Sequence, residues 1–244
     1  MKAKPKVEVC LSPALLHLYE TRNANVVIID IFRASSTIVA ALDNGAKSVI
    51  PTSSVMECIA TGHTIPDSIT AGEREGKVAE GLEHGNSPME YHKDFIGDKT
   101  LVLTTTNGTK LLHMVEAAKA KLIGAFLNIS VLCDFLRSDG ADVILACAAW
   151  KDKVNMEDAL FAGAVVKILE EDFEIFDDSS RMCKALYHEA LQADSLIAYL
   201  KDSTHYQRLA SYGIVEDMEY AVQMDLHPVI PIYTDQKLIP LTYT

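Results

Sequence analysis

Val26-Val-Ile-Ile-Asp30-Ile-Phe-Arg33-Ala-Ser-Ser36 decides how the rest of the chain is read. Val26–Ile29 is apolar at consecutive positions rather than alternate ones, the pattern of a strand covered on both faces in a parallel sheet. Ser35 and Ser36 then supply capping oxygens for a helix through Leu42, which Asn44-Gly45 stops. Strand, polar turn and helix recur outward from this unit. Ser48–Ile50 leads to a helix from Ser53/Ser54 to Gly62, and Ser68–Ala71 reads as a further strand. Thr100–Thr104 precedes a Thr-rich turn and a helix over Thr109–Ala118. Lys121–Ala125 feeds a helix at Ser130–Leu136, and Asp142–Cys147 precedes a helix over Met156–Leu169.

This alternation predicts an α/β fold, a three-layer α/β/α arrangement around a largely parallel sheet. Residues 1–244 read as one domain with a helical C-terminal excursion: Ser179–Leu200, Ser203–Tyr212 and Val215–Met224. Val229–Tyr233 reads as an edge strand, because Pro231 cannot donate to a central ladder. The polar stretch from Gly72 to about Asp98 shows little periodicity, and such loops are functional or disordered.

The chain has 244 residues, a formal net charge of −12 and 49% hydrophobic residues. A disordered chain is excluded by that apolar content. The acidic balance argues against nucleic-acid or anionic-membrane binding, while leaving room for a small anion held by local cations. Cys10, Cys58, Cys133, Cys147 and Cys183 show no C-x-x-C spacing, so they read as reduced, buried thiols. No apolar run approaches a membrane span, and the short Val7–Leu11 segment is no signal-peptide core. The expectation is a soluble, cytoplasmic protein.

Ligands of open α/β sheets sit beyond the carboxyl ends of the strands. Those positions hold Asp30 and Arg33, Glu73-Arg74 with Lys77, the turn Thr104–Lys110, Asn128–Ser130, and Trp150-Lys151 running into Glu157-Asp158. Guanidinium forks, hydroxyls and free N–H groups suit an oxyanion, and carboxylates on the same rim suit a bridging divalent cation. Each piece also has a plain structural reading. Asp30 can cap a helix, Arg33 can pair with it, Asn107-Gly108 can be a tight turn, and Glu157-Asp158 can be first-turn acids. Asp225 and His227 read as turn residues. The P-loop, the D-x-D phosphatase signature, the cysteine-phosphatase loop, H-E-x-x-H and G-x-G-x-x-G are all missing.

Six ordered segments carry a more specific signal. Ile29–Ile38, Ala71–Arg74, Gly85–Pro88, Thr104–Thr109, Met156–Gly163, and Glu216-Asp217 with Gln223–Asp225 together resemble the 2-phosphosulfolactate phosphatase family over nearly the whole chain. Glu75-Gly76-Lys77 departs from the glycine-rich stretch that the family carries there. The resemblance implies a Mg2+-dependent hydrolase that removes phosphate from 2-phospho-3-sulfolactate on the way to coenzyme M, and a homo-oligomer. It places Asp30, Glu73 and Glu157 as catalytic acids. Arg33, Arg74, Asn86, Thr105, Thr106, Asn107 and Gly108 become substrate-binding residues, and Asp30 and Asp158 metal ligands. Whether Asp30 is nucleophile or ligand stays open, and Glu73 and Glu157 compete for second ligand and general base. The alternatives are a phosphatase for another small anionic phosphomonoester, or a small-anion binder without turnover.

Overall fold

The computed structural model of the chain describes residues 3–74, 76–105 and 108–242. The strands are β1 (Lys6–Cys10), β2 (Asn25–Ile29), β3 (Ser48–Thr52), β4 (Ser68–Arg74), β5 (Lys77–Val78), β6 (Thr100–Thr104), β7 (Ala120–Gly124), β8 (Val143–Cys147), β9 (Glu174–Ile175), β10 (Pro231–Thr234) and β11 (Lys237–Pro240). They form one sheet in the order β5-β4-β6-β3-β11-β10-β7-β2-β8-β1-β9. The helices are α1 (Ala34–Asp43), α2 (Val55–Thr64), α3 (Lys93–Ile96), α4 (Gly108–Met114), α5 (Ile129–Asp139), α6 (Met156–Leu169), α7 (Asp178–Ala190), α8 (Leu196–Leu200), α9 (Thr204–Ala210) and α10 (Val215–Ala221).

β2, β6 and β8 are buried at all five of their positions. Successive side chains point to opposite faces, so both faces of the sheet are covered, as the unbroken apolar runs predict. Each buried Val, Ile or Leu there contributes about 1.5–3 kcal/mol relative to exposure. β2 pairs in parallel with β7 and β8, with Ile29 opposite both Gly124 and Cys147. β6 pairs in parallel with β3 and β4, with Thr104 opposite Thr52 and Gly72.

The C-terminal strand is not at an edge. β10 and β11 form a hairpin inserted between the two parallel groups, through Ile232 opposite Leu122 and Leu238 opposite Val49. Pro231 opens β10 and lies opposite Pro240, which closes β11. Both missing N–H groups therefore fall at the open end of the hairpin, where a strand's first residue tolerates proline. β1 and β11 were not predicted, and β1 lies inside the sheet between β8 and β9.

The predicted helix over Ser179–Leu200 is two helices. α7 ends at Ala190, and Ser195 starts α8 by accepting the Ala198 N–H. α4 and α10 also stop short of their expected ends, at Met114 and Ala221. Ser35 and Ser36 lie within the first turn of α1 instead of capping it. The Ser35 hydroxyl accepts the Asp30 N–H at 2.9 Å, and Ser36 donates to the Ile31 carbonyl at 2.9 Å, which fastens the β2–α1 turn. The stretch from Gly72 carries elements of its own: β4 runs on to Arg74, and β5 pairs with it in antiparallel fashion, Glu73 opposite Val78. All five cysteines are buried and unbridged. Among the described residues no helix is long and apolar enough to cross a membrane.

Candidate active site

Asp30 leaves the end of β2, half-buried, and the Ala34 N–H at the start of α1 points at its carboxylate. Burial lifts that carboxyl to about 6; the nearby Glu157 and Glu73 charges add to the rise and His205 opposes it. Asp30 lines a cavity of about 390 Å3, shared with residues at the ends of three other strands. Glu73 and Arg74 come from β4, Thr105 follows β6, and Trp150 with Lys151 follows β8. Glu73 accepts the Gly76 N–H at 3.1 Å. Gly76 has φ +76, and a Cβ there would lie 2.5 Å from the Tyr212 ring, so only glycine lets this hairpin close on the cavity wall.

Six of the predicted residues therefore meet in one place: Asp30, Arg33, Glu73, Arg74, Asn86 and Thr105. Arg74 is exposed and donates to the Glu73 carbonyl at 2.6 Å. Asn86 is buried, and its side-chain oxygen meets no partner among the described residues. Thr106 and Asn107 lie outside the described residues, and Gly108 begins α4. Lys77 lines a neighbouring hollow of about 280 Å3 that shares Arg33 and Asn86 with the cavity but not Asp30.

Arg33 does not pair with Asp30. Its guanidinium is buried against Asp217, whose other oxygen accepts the Ser87 hydroxyl at 2.6 Å. Glu157 and Asp158 are fully buried and stand behind the cavity rather than on its wall. Glu157 Oε1 accepts from His205 Nδ1 at 2.5 Å, and His205 is on the wall. Asp158 accepts the Ile31 N–H at 2.9 Å. Burial, then the Glu157 and Asp30 charges, holds the Asp158 carboxyl well above the usual carboxylate range. One oxygen of each acid, Glu157 Oε2 and Asp158 Oδ2, has no partner among the described residues.

The sequence alone did not single out His205, Arg208, Tyr212 and the pinning acid Asp217 as site residues. Asp217 and Ser87 lay inside quoted motifs, and that was their only signal. His205 and Arg208 sit on α9, a seven-residue helix with no motif of its own. Asn128, Asp225 and His227 are structural. Asn128 is buried and bonded to Ala125 N and the Val229 carbonyl, Asp225 caps Ser130, and His227 bridges Asp43 and Tyr220.

On a chain of net charge −12, this cavity inverts the balance: Arg33, Arg74, Lys151 and Arg208 face Asp30 and Glu73. No group of three or more His, Cys, Asp or Glu among the described residues makes a ready cage for a metal. Mg2+ does not ask for one, since it takes one or two carboxylates and completes its shell with water and phosphate oxygens. Asp30 and Glu73 on the wall, with mutually repelling acids carrying orphaned oxygens behind, are a donor set that fits a hard divalent cation.

Several relatives bear the name "Probable 2-phosphosulfolactate phosphatase". That from Caldanaerobacter subterraneus subsp. tengcongensis is 35% identical, covering 88% of this chain and 94% of its own. The Clostridium beijerinckii protein is 32% identical over 96% of this chain and 98% of its own. The Thermotoga maritima protein is 36% identical over 84% and 87% respectively. The class is that of the phosphatases, hydrolases of phosphoric monoesters. The family model of 2-phosphosulpholactate phosphatase matches residues 10–236, and the chain belongs to that family.

Proposed function

We propose that this chain hydrolyses 2-phospho-3-sulfolactate to 3-sulfolactate and inorganic phosphate, the hydrolysis of the coenzyme M route, and that it uses Mg2+. The observation that carries this reading is the cavity itself, in which Asp30 and Glu73 share a wall with four cationic side chains. A phosphate ester carries two negative charges and repels nucleophiles, so an enzyme must neutralise its oxygens and hold an attacking water in line.

Arg33, fixed by Asp217, presents a rigid donor fork to the phosphate oxygens, with Asn86 and Thr105 beside it. Asp30 would hold Mg2+, which when bound neutralises phosphate charge and orients oxygen ligands. Of the two acids open for general base, Glu73 alone faces the cavity. Glu73 takes a proton from the water as its oxygen bonds to phosphorus and the bond from phosphorus to the C2 oxygen breaks. Glu157 accepts from His205 Nδ1, which leaves Nε2 as the free nitrogen. Nε2 of the protonated ring gives the departing C2 oxygen its proton, and sulfolactate leaves as an alcohol.

The test is phosphate release by the purified protein from 2-phosphosulfolactate and from a panel of other small phosphomonoesters, after chelation and after Mg2+ is restored. The reading expects release from 2-phosphosulfolactate that is lost on chelation and recovered with Mg2+. Preference for another ester would move the substrate, full turnover after exhaustive chelation would remove the metal, and binding without release would make the chain an anion binder.

A further inference from the structure

Arg208 differs from the other cations of the cavity. Arg33 is committed to Asp217, and Arg74 is exposed. Arg208 is half-buried and its guanidinium, among the described residues, has neither an ion pair nor a hydrogen bond, although it lines the cavity. Its guanidinium carbon lies 3.8 Å from the centroid of the Trp150 ring, and Lys151 Nζ lies 4.5 Å from the same centroid. Burial pulls the Arg208 pKa below its ordinary value, against the opposing charges of Tyr212, Glu73 and Glu157, the mark of a cation short of solvent.

The ring that holds it is fixed. Trp150 and Lys153 exchange two backbone hydrogen bonds, at 2.9 and 3.0 Å, and the Ser12 hydroxyl donates to the Asp152 carbonyl at 2.9 Å. Ala149, Lys151 and Asp152 adopt φ of +57, +51 and +60, an uncommon conformation for non-glycine residues that gathers here at the cavity rim. A guanidinium laid on an indole spends its face on the ring and keeps its edge of N–H donors for an oxyanion.

We propose that Arg208, seated on Trp150 with Lys151 beside it, forms a second anion subsite that takes a strongly acidic group other than the phosphate, the sulfonate of a phosphorylated sulfonic acid. This rests on the phosphatase reading of the cavity and deepens it. A sulfonate stays singly charged at any working pH and presents oxygens matched to a fork of donors. Placement agrees. His205 and Arg208 stand three residues apart on α9, so they share a helix face with Cβ atoms roughly 5–6 Å apart. A proton donor for the ester oxygen and a cation for an acid on the neighbouring carbon need a separation of that order.

The test compares wild type with Arg208→Gln, Arg208→Lys and Trp150→Leu on 2-phosphosulfolactate and on 2-phospholactate, which lacks only the sulfonate, with thermal melts on each preparation. Binding of 3-sulfolactate is measured by calorimetry in parallel. We expect the wild-type preference for the sulfonated ester, as a ratio of kcat/KM, to fall roughly 10- to 100-fold in Arg208→Gln. Arg208→Lys and Trp150→Leu should give smaller falls, and 3-sulfolactate affinity should drop in step. Equal losses on the two esters, an unchanged ratio, or undiminished 3-sulfolactate binding in Arg208→Gln would overturn the subsite. A wild type that hydrolyses neither ester but binds 3-sulfolactate through Arg208 would sink the phosphatase reading and keep the subsite. Should Arg208→Gln fail to fold, Arg208→Lys and Trp150→Leu carry the same comparison.

Discussion

Arg33 gains its value at the site from a residue 184 positions away. Asp217 fixes the guanidinium, and Ser87 fixes Asp217, so on the proposed reading the fork would meet the substrate already oriented. Arg33→Lys keeps a charge and loses the fork, and we expect kcat/KM to fall roughly 100-fold with little change in Tm. Wild-type kinetics in that variant would make the pair a structural clasp. The Glu157–His205 pair makes a separate prediction. His205→Gln and Glu157→Gln should each lower kcat by about 100- to 10,000-fold, and the double variant should lose little more than the worse single one, as for two groups acting as a unit. Additive losses in steady-state assays would assign them independent roles. Asp30 was legible because it follows the continuous apolar run Val26–Ile29, and Glu73 and Thr105 because they lie at the carboxyl ends of Ser68–Ala71 and Thr100–Thr104, where a polar residue falls at the mouth of the sheet. His205 and Arg208 were not, because their place depends on how a distant short helix docks, and no local periodicity encodes that.

The elements show the same division. β2, β6 and β8 announce themselves because burial on both faces needs unbroken apolar runs. The β10–β11 hairpin misleads because Pro231 argues for an edge, and only the register that sets it opposite Pro240 makes an interior position harmless. The break before α8 was written in Ser195, a capping residue that the apolar periodicity of Ser179–Leu200 overrode. α6 and α7 pack closely at Gly163 in α6, where a Cβ would come 2.0 Å from the Cys183 carbonyl oxygen in α7. Backbone rather than a side-chain tip blocks that space, so α7 would have to move. Gly163→Ala should cost about 2–3 kcal/mol in denaturant unfolding, despite alanine's better helix propensity. An unchanged midpoint would mean that α7 is free to shift, and would weaken the account of how α6 carries Glu157 to His205.

At the scale of the molecule, an acidic chain collects cations at one cavity and stacks carboxyls behind it. Folding raises the Asp158 carboxyl well above its usual range, and lifts Asp30 from 3.8 to about 6, burial being the first cause in both. Such a carboxyl holds its proton more tightly folded than unfolded, so its ionisation disfavours the folded state. Metal-free stability should therefore decline as pH climbs from about 4 through 6, and further while Asp158 gives up its proton. In chelator, Asp158→Asn should flatten that decline and raise Tm at pH 7 by about 3 °C or more, because an amide oxygen can still accept the Ile31 N–H. Mg2+ should recover more of the wild-type Tm at pH 7 than at pH 5. Identical pH slopes in variant and wild type would contradict this electrostatic picture. On the proposed reading, the cavity around Asp30 hydrolyses the phosphate ester of 2-phosphosulfolactate. The most direct test is phosphate release from that ester with Mg2+ by wild type and by folded Asp30→Asn. The account predicts steady release by the wild type and a loss of at least about 1,000-fold in the variant; equal release by both would place the chemistry elsewhere in the molecule.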